Sequence, residues 1–115
     1  DNPTLEDLKK LNPDVKAWIR VPKTNIDYPV VQGQDDMEYI NKNVYGEFAL
    51  SGAVFLSCLN QADFSDPYNL VYGHNMKNGG MFADVVDFAN NIAQARFCIT
   101  RFDKILLAIL LGNLS

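Results

Sequence analysis

Three side chains in the 115 residues are of the types used for nucleophilic catalysis by a thiol and an imidazole: one histidine and two cysteines. His74 follows a short apolar segment, within the run Tyr72-Gly73-His74-Asn75. A rigid strand end, a glycine that permits close approach and polar neighbours form a setting typical of a general acid or base. The pattern equally fits a histidine in a surface turn, so spacing by itself leaves both interpretations open.

The two cysteines differ in their surroundings. Cys58 ends a predicted strand, from which its thiol could approach the loop that carries His74. Cys98 lies between Phe97 and Ile99 in another predicted strand, where a buried and inert thiol is the usual case. Thiol catalysis requires a thiolate, activated by an imidazole or a cationic environment. The sequence therefore nominates Cys58 as a nucleophile, with a structural role as the alternative for both thiols.

Arginines and carboxylates give weaker evidence for a catalytic or cation-binding site. The arginines could clamp an oxyanion, but alternation along strands favours solvated faces for all three, Arg20, Arg96 and Arg101. The loop Asp63-Phe64-Ser65-Asp66 could bind a cation, yet calcium loops need more oxygen ligands at regular spacing. Its two acids are predicted to form turns by bonding to local amides.

The composition of the chain excludes several classes of function. The length suits one domain, predicted to span residues 1–115, and 48% apolar with 21% charged residues is ordinary for a globular protein. A net charge of −4 argues against binding to a nucleic-acid backbone. Two cysteines and one histidine cannot supply a structural zinc site, and no glycine-rich phosphate loop occurs. No cofactor, metal or nucleic acid is expected, and no apolar stretch is long enough to cross a bilayer.

Hydrophobic patterning predicts one mixed α+β unit, mainly β. Leucines at three-residue spacing indicate a short helix near the start of the chain. Further helices are predicted over Met81–Asn90 and from Asp35-Asp36 onward, the latter carrying Met37, Ile40 and Tyr45. Strands are predicted over Val15–Val21, Ile26–Gln32, Gly52–Cys58, Asn69–Tyr72 and Arg96–Arg101. Pro29 cannot donate to a strand ladder, which favours an edge or a bulge at that position.

The last eleven residues form an atypical apolar tail, 105–115, without any charge. Seven apolar residues in a row, I-L-L-A-I-L-L over Ile105–Leu111, are typical of a buried central strand with partners on both sides. The chain ends four residues later, and an uncovered strand of this kind is a pairing site. We therefore expect self-association, as a homo-oligomer formed through exposed strand edges.

Several blocks together resemble one family. The run Asn12–Gly33, N-P-D-V-K-A-W-I-R-V-P-K-T-N-I-D-Y-P-V-V-Q-G, closely resembles the opening of class B sortases. The same holds for Gly52–Leu56, for Asp63–Asp66 and above all for Val71–Met76 with Asn78-Gly79 and Met81-Phe82. These blocks occur in the family's order and with its gaps, from about Leu5 to Phe88.

The resemblance implies a sortase-like β-barrel with an N-terminal helix and short flanking helices. Sortases are cysteine transpeptidases on the outer face of Gram-positive bacteria, held by an N-terminal anchor that this chain lacks. They cleave a C-terminal sorting signal and join the surface protein to a cell-wall or pilin amine. His74 matches the family's general acid, and Tyr72 and Asn75 beside it are expected to bind substrate.

Two family features are missing from this sequence. The family's nucleophile ends a late strand in a T-L-x-T-C pattern, followed by an arginine on the next strand, and neither occurs here. The chain thus resembles about the first half of a sortase domain and is expected to be inactive alone, with Cys58 as the only substitute nucleophile. The alternative is a non-catalytic fragment that binds peptide or self-assembles.

Overall fold

One helix and six strands make up the part of the chain that the structure describes. The computed structural model describes residues 3–21, 25–74, 99–102 and 105–110, with 99–102, 106, 109 and 110 described by their backbone alone. In chain order the elements are α1 (Leu5–Leu11), β1 (Val15–Arg20), β2 (Asp27–Val31), β3 (Val54–Leu56), β4 (Asn69–His74), β5 (Ile99–Phe102) and β6 (Ile105–Leu110). The prediction of a mixed fold dominated by strands is confirmed.

The six strands form one sheet in the order β1-β2-β3-β4-β6-β5. Strands β2 and β3 pair in parallel, as do β4 and β6, while the remaining neighbours are antiparallel. Over the described strands the sheet is open, with β1 at one edge and β5 at the other. An open sheet of this kind agrees with the expected partial barrel.

The apolar tail forms an interior strand. Strand β6 is hydrogen-bonded to β4 on one side and to β5 on the other, and Leu107 and Ala108 are 0% and 3% exposed. The prediction of a buried central strand is confirmed. Self-association through this segment would require an unpaired strand edge, and both edges of β6 are paired within the chain.

Apolar side chains cover both faces of the sheet because neighbouring residues of a strand point to opposite sides. One cluster is built around Val21, Ile26, Val30, Val54, Leu56, Val71 and Leu107. The other cluster, on the face that α1 covers, contains Leu8, Val15, Val31, Tyr39, Ala53 and Phe55. Burial on both faces holds β3 and β4 rigidly in place, and the residues at the ends of these strands are positioned accordingly.

The helix and the turns that follow β2 are joined by a polar network around Tyr39. Thr4 caps α1 by accepting from the amide of Asp7, and the Asp7 carboxylate accepts from the amide of Thr4. The Tyr39 hydroxyl donates to Asp14 across 2.8 Å and accepts from Asn12 across 3.0 Å. Burial raises the pKa of Tyr39 to about 12, with Asp14 adding to the rise and Asn12 opposing it.

The prediction of a helix from Asp35-Asp36 onward is wrong. The segment consists of turns with an isolated bridge between Lys42 and Phe48, and Met37 is 71% exposed. Asp35 accepts from the amide of Met37, and Asn43 accepts from the amide of Tyr45. Such local side-chain bonds to amides compete with helix formation.

Several predicted positions can be compared only in part. The helix over Met81–Asn90 and the first residues of the strand Arg96–Arg101 lie outside the described residues, and β5 begins at Ile99. Pro29 lies in β2, which has β1 on one side and pairs with β3 only at Val30 and Val31. Pro29 thus has a partner strand on one side only, as an edge position would. Among the described residues, no helix is long and apolar enough to span a bilayer.

Candidate functional site

His74 is the last residue of β4 and is almost completely buried. Its residue exposure is 3%, and Leu110 of β6 lies opposite it in the parallel ladder. Tyr72, two residues earlier, shares its face of the sheet, the face that carries the Phe55 cluster. The prediction that His74 lies at a strand end is confirmed, whereas a surface-turn histidine is not what the structure shows.

The imidazole of His74 is oriented by a main-chain carbonyl. Its Nδ1 atom lies 2.8 Å from the carbonyl oxygen of Ser51. A carbonyl oxygen can only accept, so a hydrogen bond at this contact requires the proton on Nδ1. The other ring nitrogen, Nε2, is then the one that gains or loses a proton. Burial lowers the pKa of His74, and the bond to Ser51 opposes that shift only in part.

Tyr72 is packed into the protein. Its ring stacks on Phe55 with centroids 4.9 Å apart, and its hydroxyl lies 3.5 Å from a carboxylate oxygen of Asp36, to which it donates. Burial and the nearby Asp36 charge raise the pKa of Tyr72. These contacts give Tyr72 a structural role, beside which substrate binding stays a prediction. Asn75, the other predicted substrate-binding residue, lies outside the described residues.

Cys58 lies in an acidic environment. Its backbone amide donates to Asp36 across 2.7 Å, and the Ser57 hydroxyl donates to the other oxygen of the same carboxylate across 3.0 Å. Burial raises the pKa of the Cys58 thiol, and Asp36 and Asp35 raise it further because a thiolate beside a carboxylate is repelled. This is the opposite of the cationic setting that activates a nucleophilic thiol.

Cys58 and His74 lie toward opposite ends of the β3–β4 pair. Ser57, next to Cys58, donates its amide to the carbonyl of Leu70 across 2.8 Å. Four residues, or roughly 13 Å at about 3.3 Å per residue, separate Leu70 from His74 along β4. The expectation that the Cys58 thiol could approach His74 is therefore corrected: the antiparallel register of the strands holds the two residues apart.

The remaining candidates are dispersed. Arg20 is exposed on β1, the edge strand, and β2 and β3 lie between it and β4. Asp63 accepts from the amide of Ser65, and Asp66 accepts from Asn60 and from the amide of Gln61, so both are turn formers as predicted. The side chain and then the amide of Ser65 lower the pKa of Asp63, and the side chain of Asn60 and the amide of Gln61 lower the pKa of Asp66.

The side chains of Arg96, Arg101 and Cys98 are outside the described part of the chain. No three His, Cys, Asp or Glu side chains among the described residues come together as a metal site. The chemistry that the described residues support is proton exchange at the Nε2 atom of His74.

Sequence reasoning missed the two residues that shape these surroundings. Ser51 orients His74 from 23 positions earlier in the chain, and Asp36 contacts Cys58 from 22 positions earlier. The sequence pattern predicts Asp36 only as the start of a helix, and Ser51 acts through a main-chain atom, which residue type does not reveal. Gly52, directly after Ser51, is the nearest available signal, because a glycine in a predicted strand can mark a close approach of another main-chain segment.

Comparisons with known proteins point to one family. No protein-family model matches the chain. Sortase B of Listeria monocytogenes is 43% identical over 81 residues, which are 70% of this chain and 33% of that protein. Sortase B of Staphylococcus aureus is 29% identical over 102 residues, covering 89% of this chain and 42% of that protein.

Solved structures agree in fold and in sequence. A Streptococcus pyogenes class B sortase involved in pilus biogenesis superimposes with a TM-score of 0.71 at 44% identity, covering 80% of this chain and 52% of that one. Clostridium perfringens sortase B gives a TM-score of 0.70 at 43% identity, covering 80% and 50% of the respective chains. The present chain spans between a third and about half of the length of these relatives.

Proposed function

Because the chain belongs to the class B sortase family over the region that it shares with these relatives, we propose that it forms the histidine-bearing part of a cysteine transpeptidase. The observation that carries this proposal is the His74 ring, buried at the end of β4 and held through Nδ1 on the Ser51 carbonyl. A ring held in this way presents one nitrogen, Nε2, for proton transfer, as a general acid requires.

In the proposed reaction, His74 acts when the substrate peptide bond breaks. A cysteine thiolate attacks the carbonyl carbon of the sorting signal, and the carbon–nitrogen bond of the tetrahedral intermediate breaks to leave a thioester. Burial lowers the pKa of His74, whereas the negative charge of the thiolate favours the imidazolium. The leaving amine takes a proton from Nε2 of this imidazolium. An incoming amine then attacks the thioester, forming a new amide and releasing the cysteine as a thiolate, while His74 accepts the proton that this amine loses.

The nucleophile is assigned to polypeptide other than these 115 residues. The sequence has no T-L-x-T-C pattern, and Cys98 lies in a predicted strand where a buried and inert thiol is the usual case. The thiol pKa of Cys58 is raised by burial and by Asp36, and the residue lies away from His74 along β4. A thiolate is the reactive form of cysteine, so a raised pKa disfavours nucleophilic attack at neutral pH. We therefore expect no transpeptidation by this chain alone.

Substrate and location follow from the same proposal. The substrate is the C-terminal sorting signal of a surface protein, and the acceptor is an amine of the cell wall or of a pilin. The proposed location is the outer face of the membrane of a Gram-positive bacterium. Support comes from the relatives: a sortase B from Staphylococcus aureus has been solved as a complex with substrate.

Peptide binding without catalysis is the second candidate. An apolar cavity of about 340 Å³ lies beside β1, β4 and β6, and its lining includes Trp18, Phe64 and Ile105. Ligand pockets are commonly concave and apolar in this way. A fragment with such a surface could hold an extended peptide even where no thiolate is available.

The deciding experiment supplies the missing part of the fold. The chain is incubated with a fluorogenic sorting-signal peptide and an amine, alone and together with the part of Clostridium perfringens sortase B that the chain does not cover. Turnover is expected only in the mixture, lost with His74→Ala and kept with Cys58→Ala. Turnover by the isolated chain that depends on Cys58 would contradict the proposal.

A mixture without turnover has to be interpreted through a control. The same Clostridium perfringens part is combined with the region of its own protein that this chain matches, which shows whether the two-part assembly can work. If that control is active and the mixture is not, the proposed general-acid role of His74 in this chain fails. Peptide binding measured by fluorescence anisotropy in the inactive mixture would then favour the non-catalytic candidate.

A further inference from the structure

Gly52 occupies a position that no other residue can fill without movement of the main chain. Its φ is +63°, in the left-handed region that favours glycine. A Cβ atom there would overlap the carbonyl oxygen of Ile40 and would lie 2.6 Å from the carbonyl oxygen of Tyr39. Both obstacles are main-chain atoms of the turns after β2, so they cannot swing away as a flexible side chain could.

Hydrogen bonds fix this segment on both sides of the Ser51 carbonyl. The amide of Gly52 donates to Ala49 across 3.0 Å, and the amide of Ala53 donates to Tyr39 across 3.1 Å. The carbonyl oxygen of Ser51 thus has a position set by contacts that do not involve His74. It is 2.8 Å from Nδ1 of the imidazole.

We propose that the Ser51–Gly52 peptide is a positioning element that holds the neutral His74 ring in its Nδ1–H tautomer and leaves Nε2 as the proton-exchanging atom. Gly52 permits the close approach of the main chain, and the Ser51 carbonyl selects the tautomer by accepting only from a protonated nitrogen. In water the neutral imidazole of histidine favours the proton on Nε2. The fold therefore reverses the intrinsic preference of the ring.

The consequence for catalysis rests on the proposed function, whereas the tautomer does not. Were Nε2 to carry the proton in the neutral ring, Nδ1 would face the carbonyl oxygen with a lone pair, and the two acceptors would repel. With the proton on Nδ1, protonation at Nε2 gives an imidazolium that can donate outward while the inner bond persists. Proton transfer then requires no rotation of the ring.

The test is a long-range proton–nitrogen correlation NMR spectrum of the ¹⁵N-labelled chain above the pKa of His74. The chain has a single histidine, so both ring nitrogens are assigned without ambiguity. The expected spectrum shows the pyrrole-type nitrogen shift on Nδ1 and the pyridine-type shift on Nε2. A native chain with the Nε2–H pattern would overturn the proposal.

Variants then test the role of Gly52. Gly52→Ala is expected to raise the share of the Nε2–H form because it displaces the Ser51 carbonyl. Gly46→Ala is the matched control: Gly46 has φ +82°, yet a Cβ there meets nothing within 4 Å, so its spectrum should equal that of the native chain. Ser51→Ala keeps the carbonyl and should also leave the tautomer unchanged.

The outcomes separate the inference from the proposed function. The Nδ1–H tautomer without turnover in the two-part assay would defeat the proposed function and leave the positioning role intact. Turnover that depends on His74, together with the Nε2–H tautomer, would defeat the positioning role and leave the proposed function intact. Should Gly52→Ala not fold, the native chain and Ser51→Ala still decide the proposal. An Nε2–H pattern in the native chain, or a tautomer in Ser51→Ala that differs from the native one, contradicts selection by the carbonyl.

Discussion

The backbone amide of Cys58 donates to the Asp36 carboxylate across 2.7 Å, and this contact holds a negative charge beside the only thiol among the described residues. The carboxylate also accepts from the Ser57 hydroxyl at 3.0 Å, so its position is fixed by two donors from adjacent residues. A structural role for Cys58 follows, because a thiolate there would be formed against the repulsion of Asp36.

The first prediction concerns the reactivity of Cys58. In a Cys98→Ser background, alkylation by iodoacetamide is expected to accelerate only above the ordinary pH range of a free thiol, since burial, Asp36 and Asp35 raise the pKa of Cys58. Asp36→Asn should move the rate profile to lower pH, and Asp35→Asn should move it less. Equal shifts for the two variants would show that the 2.7 Å contact has no special influence.

The second prediction concerns the pH dependence of stability at His74. Burial lowers the pKa of the folded state below the ordinary 6.5, so the unfolded chain takes up this proton first as the pH falls. The free energy of unfolding should therefore decrease as the pH falls through about 6.5, by no more than about 1.4 kcal/mol per pH unit from this group. Above that range the contribution is constant.

Urea unfolding of the native chain and of His74→Asn at pH 7.5 and 5.5 measures this effect. The asparagine amide can still donate to Ser51 but does not titrate, and the carboxylates contribute alike to both proteins. The native chain is expected to lose more stability between the two pH values. An equal loss in both proteins would mean that His74 does not titrate differently in the folded state.

The third prediction tests the interior position of β6. Leu107 is 0% exposed in the cluster that includes Val71, so Leu107→Ala is expected to lower the free energy of unfolding by about 2–5 kcal/mol. Leu59→Ala is the matched control, because Leu59 is 88% exposed and its truncation should change the stability by no more than about 0.5 kcal/mol. Similar values for the two variants in denaturant titrations would contradict the interior position of Leu107 in β6.

The fourth prediction concerns the network around Tyr39. Tyr39→Phe removes the hydroxyl that donates to Asp14 and accepts from Asn12, leaving both groups without that partner. A loss of about 1–3 kcal/mol is expected by thermal or urea unfolding, as for buried hydrogen bonds to charged groups. Tyr45→Phe, at a residue that is 55% exposed, should be nearly neutral. A neutral Tyr39→Phe would show that water replaces the network without cost.

Local patterns predicted the elements that depend on nearby residues. The run I-L-L-A-I-L-L indicated a central strand, and β6 is flanked by β4 and β5. The helix near the start also formed, since its capping box uses residues three positions apart. The failure lay at Asp35, where side-chain bonds to amides produced turns in place of the predicted helix.

By itself, the sequence determined the family, the mixed fold and the place of His74 at the end of a strand, because blocks of adjacent residues carry that information. Only the tertiary structure decided which groups surround His74 and Cys58. The parallel and antiparallel registers separate Cys58 from His74, bring Asp36 to the thiol and place the Ser51 carbonyl at Nδ1. Those contacts join residues more than twenty positions apart, and a contact of that range depends on strand register, which residue types alone do not specify.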